Sequence, residues 1–351
     1  VKGTAPALVG AVLAPHVLGL RVAGVPLEVV TNEADVWAAL GRYYEPWLAP
    51  VTAPAARVRL IQGALEARGP FTDLVRADGK RVKEAVQDVA GGRLILKRAT
   101  GVVMGLWPGH AFAVGDLRAN LNQVINLVNA CYAKVVLGRG HVLLHAAGVS
   151  RDGRAVVLAG LPGAGKSSAA LHLVDAGFRF LSNDRVLARP DGGRVDVLGY
   201  PKQPRVNPGT LLGHPRLSAL LAPDERAALE AMDAAARWGL ERKRDVDLDA
   251  IYGGGTVTLA AEMHALVLLR WQRDGQGLHV ERLAPSAALQ RLDVFRKDLG
   301  AFDLDRPSRT LVTAAELEGY RALVSTVPVL EVTGRVDFRA LVGAAAAILA
   351  G

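Results

Sequence analysis

Short apolar runs broken by Pro and Gly fill the chain up to about Val114. Within them Val25 to Val30 and Arg93 to Lys97 read as strands, Glu33 to Arg42 as a helix, and Tyr44 to Ala56 as a Pro/Ala connection. From Asp116 to Leu137 the period becomes helical, with Leu121, Val124, Ile125, Val128, Tyr132, Val135 and Val136 on one face. Asn122, Asn126 and Asn129 flank that face, either as a solvated helix margin or as hydrogen bonds at an interface with another domain or a second subunit.

Beyond His141 the pattern turns to strands joined tightly. Val142 to Val149 and Arg154 to Ala159 flank Asp152-Gly153, and Val186 to Ala188 and Val195 to Leu198 flank Asp191-Gly192-Gly193. Ala265 to Trp271 and Leu278 to Arg282 flank 274–277 in the same way, so a third hairpin is expected. A doubly wound sheet would place helices in these gaps, so the expected class is α/β with a mixed, hairpin-rich sheet and flanking helices. A helix from Asp224 to about Leu240, a strand from Val327 to Val332 and a helix begun by Asp337 complete the pattern. The expected division is an N-terminal α+β module over 1–115, a connecting helix over 116–140 and a core domain over 141–351.

Composition narrows the classes. A length of 351 residues suits two domains, and 50% hydrophobic with 22% charged residues is globular. The single cysteine, Cys131, excludes an internal disulfide framework and a cysteine-built metal site, and its place on the apolar helix face makes it core. The net charge of +8 lies mostly in the first 140 residues, which hold 16 basic and 10 acidic residues. No long run of like charge occurs and aromatics are 5%, so no nucleic-acid surface is expected. Thr4 to Leu20 followed by Val22-Ala23-Gly24 superficially resembles a signal peptide, but Pro6, Gly10, Pro15 and His16 interrupt it. The apolar stretch from Leu341 to Gly351 is too short to span a bilayer, so no membrane association and a cytoplasmic location are expected.

The chemistry concentrates in Gly160-Leu161-Pro162-Gly163-Ala164-Gly165-Lys166-Ser167, which matches the phosphate-binding pattern GxxxxGK[ST] at every fixed position. An apolar run, Ala155 to Ala159, precedes it, and a helical pattern from Ser168 to Ala176 ends at Gly177. Strand, glycine loop and helix stand in the order that lets backbone N–H groups converge on phosphates at a helix N-terminus. Residues 160–168, Ser168 included, would bind the phosphates of a nucleotide; Lys166 would neutralise the β- and γ-phosphates and Ser167 would ligate Mg²⁺.

Phe178 to Arg185 alternates as a strand whose polar end would arrive beside the loop. There Asp184 could bind Mg²⁺, directly or through water, or accept a hydroxyl proton, while Asn183-Asp184 could also simply turn the chain. Asn183 has no proton affinity to act as a base. His145 could contact phosphate, shuttle a proton or serve as a structural histidine. The stiff loop Tyr200 to Gly209 carries Lys202 and Arg205, and Arg242-Lys243-Arg244 adds three cations. Either group could clamp a transferred phosphoryl or an acidic substrate, or lie in solvent. Gly253-Gly254-Gly255 reads as a plain loop or a lid.

These residues resemble the HPr kinase/phosphorylase C-terminal domain, and within it the HPr-kinase-related kinase B group. The resemblance is close over about His141 to Val186, through His145-Ala-Ala-Gly-Val, the 160–167 loop and Gly177-Phe-Arg-Phe-Leu-Ser-Asn183-Asp184-Arg185-Val. The helix from Asp116 to Cys131 and Pro204-Arg-Val-Asn-Pro-Gly209 resemble the kinase B group in particular. It implies a P-loop kinase core of the phosphoenolpyruvate carboxykinase type, Mg²⁺ and ATP, transfer of the γ-phosphoryl to a serine hydroxyl, and a homo-oligomer. HPr kinases carry paired aspartates where this chain has Asn183-Asp184. The departure removes the presumed base and leaves Asp184 or His145 to replace it.

The sequence thus leads to the expectation of a kinase acting on a protein serine or a small metabolite, with Arg205 and Arg244 meeting the transition-state charge. The rivals are an NTP hydrolase or switch and an inactive ATP-sensing module. No N-K-x-D pattern occurs and Ala265 to Leu269 runs into Arg270-Trp271 rather than an acidic residue, which count against the first; Asn183 keeps the second open.

Overall fold

A computed structural model describes residues 15–65, 69–74, 83–240, 242–272, 275–304 and 312–351. The chain divides into two compact units: the first runs to Arg139 and includes the return at 298–304, and the second comprises Gly140–Lys297 and Val312–Gly351. No helix among the described residues is long and apolar enough to cross a membrane.

Among its described residues the first unit is an eight-stranded mixed sheet with two α-helices. Its elements are β1 (His16–Val22), β2 (Val25–Thr31), α1 (Ala34–Tyr43), β3 (Ala56–Gln62), β4 (Thr72–Asp73), β5 (Glu84–Val89), β6 (Gly92–Lys97), β7 (Val103–Trp107), β8 (His110–Gly115) and α2 (Leu121–Leu137). The strand order is β1-β2-β3-β8-β7-β6-β5-β4, with β3 parallel to both of its neighbours. Val22-Ala23-Gly24, the small-residue site of the signal-like pattern, is the turn of the β1–β2 hairpin; the apolar segment before residue 15 lies outside the described residues.

The helix expected from Asp116 starts at Leu121, because Asp116 Oδ1 accepts from Ala119 N (3.3 Å) and Gln62 Nε2 (3.1 Å) and holds 116–120 as a turn. It packs on β2, β3 and β8 as part of the first unit and is no free connector. Of its asparagines, Asn122 is exposed, whereas Asn129 is buried and its Oδ1 accepts from the Tyr44 hydroxyl at 2.9 Å within the same unit. Cys131 is buried there, which pushes its thiol pKa up to about 12.

Among its described residues the second unit is built on a nine-stranded mixed sheet covered on both faces. In chain order it holds β9 (Val142–Leu144), β10 (Ala146–Arg151), β11 (Arg154–Ala159), α3 (Lys166–Asp175), β12 (Arg179–Ser182), β13 (Val186–Asp191), β14 (Arg194–Leu198), β15 (Arg205–Val206), α4 (Pro208–Leu212), α5 (Pro223–Ala231), α6 (Ala234–Gly239), β16 (Arg244–Asp245), α7 (Leu248–Tyr252), β17 (Ala260–Leu269), β18 (Leu278–Leu283), α8 (Pro285–Leu289), α9 (Leu292–Phe295), α10 (Ala314–Thr326), β19 (Val329–Gly334) and α11 (Phe338–Ala350). The strands β11, β17 and β19 pair in parallel and form the centre; the small β15–β16 ribbon stands apart from the sheet. Along β11, Val156 and Leu158 face a core made with α3 and α11, while Ala155, Val157 and Ala159 face one made with α10. Burial on both faces is what a continuous apolar run such as Ala155 to Ala159 requires.

Two of the three expected hairpins form. β10 and β11 turn through Asp152 and Gly153, both at positive φ, and β13 and β14 through Gly192 and Gly193. The third does not: β19 lies between β17 and β18, parallel to the first and antiparallel to the second. The largely exposed β18 suits the edge, whereas Val329 and Val332 of β19 are buried beside β17. Asp274, in the expected turn, lies outside the described residues.

The strand expected over Val142 to Val149 breaks at His145, so that β9 pairs with β13 and β10 with β11 and β12. The helix expected over 224–240 breaks at Met232-Asp233, where Asp233 Oδ1 accepts from Ala236 N at 2.9 Å and starts α6 as its cap.

On α3, His172 stacks on Phe338 with ring centroids 4.3 Å apart, and the His214 ring lies 4.6 Å away. Burial, followed by His214, lowers its pKa to about 4, against the pull of Asp175. A histidine neutral in the native state, with an unfolded pKa of about 6.5, supports the fold fully above that value and less as pH falls toward about 4. Urea midpoints are therefore expected to decline across that window, and His172→Gln to make the decline shallower. An unchanged pH slope in the variant would contradict this burial.

Candidate active site

The Gly160–Ser167 motif joins β11, in the middle of the sheet, to α3. The chain makes the turn with Gly163 at φ +85° and Gly165 at φ +80°, a region that costs other residues strain. Gly160 is pressed between Ala164 and the Leu269 carbonyl, where an added Cβ would lie 2.9 and 3.0 Å away. From the end of β17, Trp271 Nε1 donates to Ala164 O at 2.8 Å and fixes the loop from beneath. Gly165 is the N-cap of α3 and no side chain caps that helix, so its first-turn amides are left to an external acceptor.

Lys166 folds back over this turn. Its Nζ donates to Gly160 O (2.7 Å) and Leu161 O (3.2 Å). Burial lowers its pKa to about 8; Asp184 opposes that shift, while Lys297 and Lys243 add to it. The ammonium is still charged at neutral pH. Ser167 Oγ lies 3.5 Å from Asn183 Nδ2, and Ser168 Oγ is 3.2 Å from Thr210 Oγ1.

Asp184 follows β12, and its electrostatics depend on a residue that the sequence reading does not pick out. Lys297 Nζ lies 2.8 Å from both carboxylate oxygens and 3.4 Å from the Asp184 carbonyl. Arg185 Nε stands 3.8 Å from Oδ2 and His145 Nε2 3.7 Å from Oδ1. Burial works to raise the Asp184 pKa, but Lys297, Arg185 and His145 outweigh it and hold the carboxyl well below the usual range. His145 is the converse: burial, then Lys297 and Lys166, lower its pKa to about 4, so it is neutral at pH 7.

One backbone segment positions both groups. His145 N donates to Phe295 O (2.7 Å), Leu144 bridges to Arg296, and Lys297 N donates to Leu143 O (3.0 Å). Residues 295–297 therefore run along β9 at its break and carry the Lys297 side chain to Asp184. On the other side Gly199, whose added Cβ would meet the Leu181 carbonyl at 1.9 Å, lets the end of β14 pass against β12 and leads the 200–209 segment in beside Asp184.

These elements line a half-open cavity of about 560 Å³, within the range of small-molecule sites. Among the expected residues His145, Pro162, Gly163, Gly165, Lys166, Ser167, Ser168, Asn183, Asp184 and Arg205 line it. Gly160, Leu161 and Ala164 build the loop from outside the lining. Arg244 departs from expectation: with Arg242 it binds Glu225 of α5, and Lys243, between them, is the residue that lines the cavity. Gly253-Gly254-Gly255 is fastened by Thr256 Oγ1 to Gly253 O (2.7 Å) and Arg179 Nε to Gly255 O (2.8 Å), which makes it a pinned turn. Sequence reasoning also misses Arg237 on α6 and Trp271 as the loop's support; no local motif marks either.

Among the described residues no cluster of three or more His, Cys, Asp or Glu side chains forms a metal cage. The uncapped amides, Lys166 and the cations on the cavity wall do fit a polyphosphate.

No protein family and no curated protein matches the chain. One solved structure, described as the Hpr(Ser) kinase/phosphatase from Coxiella burnetii, aligns with 60% of this chain and 99% of its own at 12% identity, with a TM-score of 0.28. At that score the likeness carries no weight for fold or activity.

If Trp271 supports the loop, Trp271→Phe removes one hydrogen bond worth about 1 kcal/mol. Amide exchange at Gly165 and Lys166 is then expected to quicken by roughly fivefold with global stability little changed. Equal exchange in the two proteins would contradict the role.

Proposed function

We propose that the second unit is an ATP-dependent phosphotransferase with a P-loop kinase core, acting on a hydroxyl group. The observation that carries this reading is the uncapped α3 N-terminus behind a complete GxxxxGKS loop, facing a cavity that also contains Asp184 and His145. In this reading the amides of 163–168 and Lys166 hold the β- and γ-phosphates. A magnesium ion, when bound, neutralises charge on those phosphates and needs few protein ligands besides their oxygens. Ser167 supplies one such ligand. Asp184, whose two oxygens Lys297 holds, would be the other protein group for that ion, directly or through a water.

The acceptor oxygen forms a bond to the γ-phosphorus as the bond from that phosphorus to the β,γ-bridging oxygen breaks and ADP departs. The hydroxyl proton passes to the Asp184–His145 pair. Both are weak bases here, which suits a transfer in which positioning and electrostatics supply most of the rate. Arg205 and Lys243 line the cavity, whereas Arg244 acts only by bracing Glu225. The bidentate hold of Lys297 on Asp184 also favours a second reading, a module that binds ATP without turning it over. Saturable ATP binding with neither transfer nor hydrolysis would select it.

Lys166→Ala is expected to lower transfer by about a hundredfold or more while leaving the thermal midpoint near that of the parent. Unchanged turnover would remove the loop from the mechanism. Asp184→Asn is expected to cost at least about tenfold more activity than Asn183→Ala. The reverse order would show that Asn183, through Ser167, carries the role assigned to Asp184.

A further inference from the structure

The cavity wall carries far more positive than negative charge. Lys166, Arg185, Lys202, Arg205, Arg237 and Lys243 line it, and among its described residues Asp184 is the one carboxylate. Asp184 is itself already held by Lys297. In the nucleotide reading Lys166, the loop amides and the metal ion meet the triphosphate. Of the other cations, Arg185 stands 3.8 Å from Asp184 and Arg205 3.2 Å from Asp245, and the positive charge on the wall still exceeds the negative.

These cations are held in place by the fold. The β15–β16 ribbon pairs Arg205 with Asp245 and Val206 with Arg244, and Arg205 Nη2 donates to Lys243 O at 3.3 Å, which holds the Arg205 side chain against the Lys243 backbone. Asp245 Oδ1 offsets Arg205 Nε at 3.2 Å. Neither the Lys243 ammonium nor the Arg237 guanidinium has a hydrogen bond or ion pair among the described residues. Lys202 sits half-buried nearby, and its pKa is lowered first by burial and then by Arg185 and Arg205, with Asp184 and Asp245 opposing. Cations gathered in this way repel one another, and an anion placed among them relieves that cost.

Resting on the nucleotide reading above, we propose that the acceptor is itself anionic: a small hydroxyl compound that carries a phosphate monoester bound by Lys202, Arg205 and Lys243. A phosphate monoester offers two charges and three acceptor oxygens to the three cations that line this cavity, more than a carboxylate offers. The cations line a half-open cavity whose volume is that of a small-molecule site, which favours a metabolite over a protein. Binding of this remote phosphate would orient the hydroxyl, and the product would carry two phosphate groups.

The test is calorimetry on the full chain saturated with magnesium and a non-hydrolysable ATP analogue. Glycerol 3-phosphate and inorganic phosphate are the probes and glycerol is the control. Both phosphate probes are expected to bind the loaded protein and glycerol is not. Lys202→Ala with Lys243→Ala weakens probe binding by about tenfold or more, and nucleotide affinity stays within about threefold. Restoration by Lys202→Arg with Lys243→Arg supports a charge role over a packing role. If the double alanine variant fails to fold, the exposed single change Lys243→Ala carries the same expectation.

Probe binding that the variants leave untouched, probe binding only to nucleotide-free protein, or no binding of either probe overturns the proposal. A phosphoserine peptide that binds where glycerol 3-phosphate does not makes the ligand a phosphoprotein and overturns the assignment of a metabolite. Failure of the wild-type chain to bind the nucleotide analogue is a separate result. It removes the reading of the loop, and the proposal with it.

Discussion

Between Ala159 and Lys166 the chain must leave a strand buried on both faces and enter a helix within six residues, which it does with positive φ at Gly163 and Gly165. The turn leaves the first amides of α3 without a side-chain cap. Its back is closed by Gly160 against Leu269 and by Trp271 on the Ala164 carbonyl. The parallel pairing of β11 with β17, and of β17 with β19, gives this turn a rigid base. Glu331 of β19 joins Arg270 and Arg291 at 3.1 and 2.7 Å and ties the far side of that base together.

The second determinant is electrostatic. Asp184 is a carboxylate among cations, and Lys297 binds both of its oxygens. The same cations, together with burial, keep His145 neutral at pH 7. A site arranged in this way has little basic power and a large positive field, a combination suited to phosphate chemistry and poorly suited to abstracting a proton from carbon. The segment that brings Lys297 in also accepts the His145 amide, so the break in the strand at His145 is part of the site's construction.

Local signals were legible where one stretch of chain fixes its own geometry. The glycine motif, the Asp152-Gly153 turn and the alternation from Phe178 onward each place a loop or strand without reference to distant partners. What was not legible depends on partners far apart in sequence: Lys297 reaches Asp184 across 113 positions and Trp271 reaches Ala164 across 107. The wrong pairing of β17 with β18 has the same origin, since adjacency in sequence suggested a hairpin and burial placed β19 between them. Arg244 was indistinguishable from Lys243 by composition, and only the placement of Glu225 of α5 beside Arg244 separates the residue that is paired from the one that lines the cavity. The helix α10 is a different case, because its Thr313/Glu316 capping box ahead of Leu317, Tyr320, Leu323 and Val324 was open to reading and sequence reasoning passed over it.

The central claim is that this cavity moves a phosphoryl group and does more than hold one. The most direct measurement follows γ-labelled ATP and magnesium with the purified chain and a source-cell lysate separated into protein and small-molecule pools. The account predicts label covalently attached to an acceptor, in the small-molecule pool. Label recovered only as inorganic phosphate, or left entirely in ATP, would contradict it.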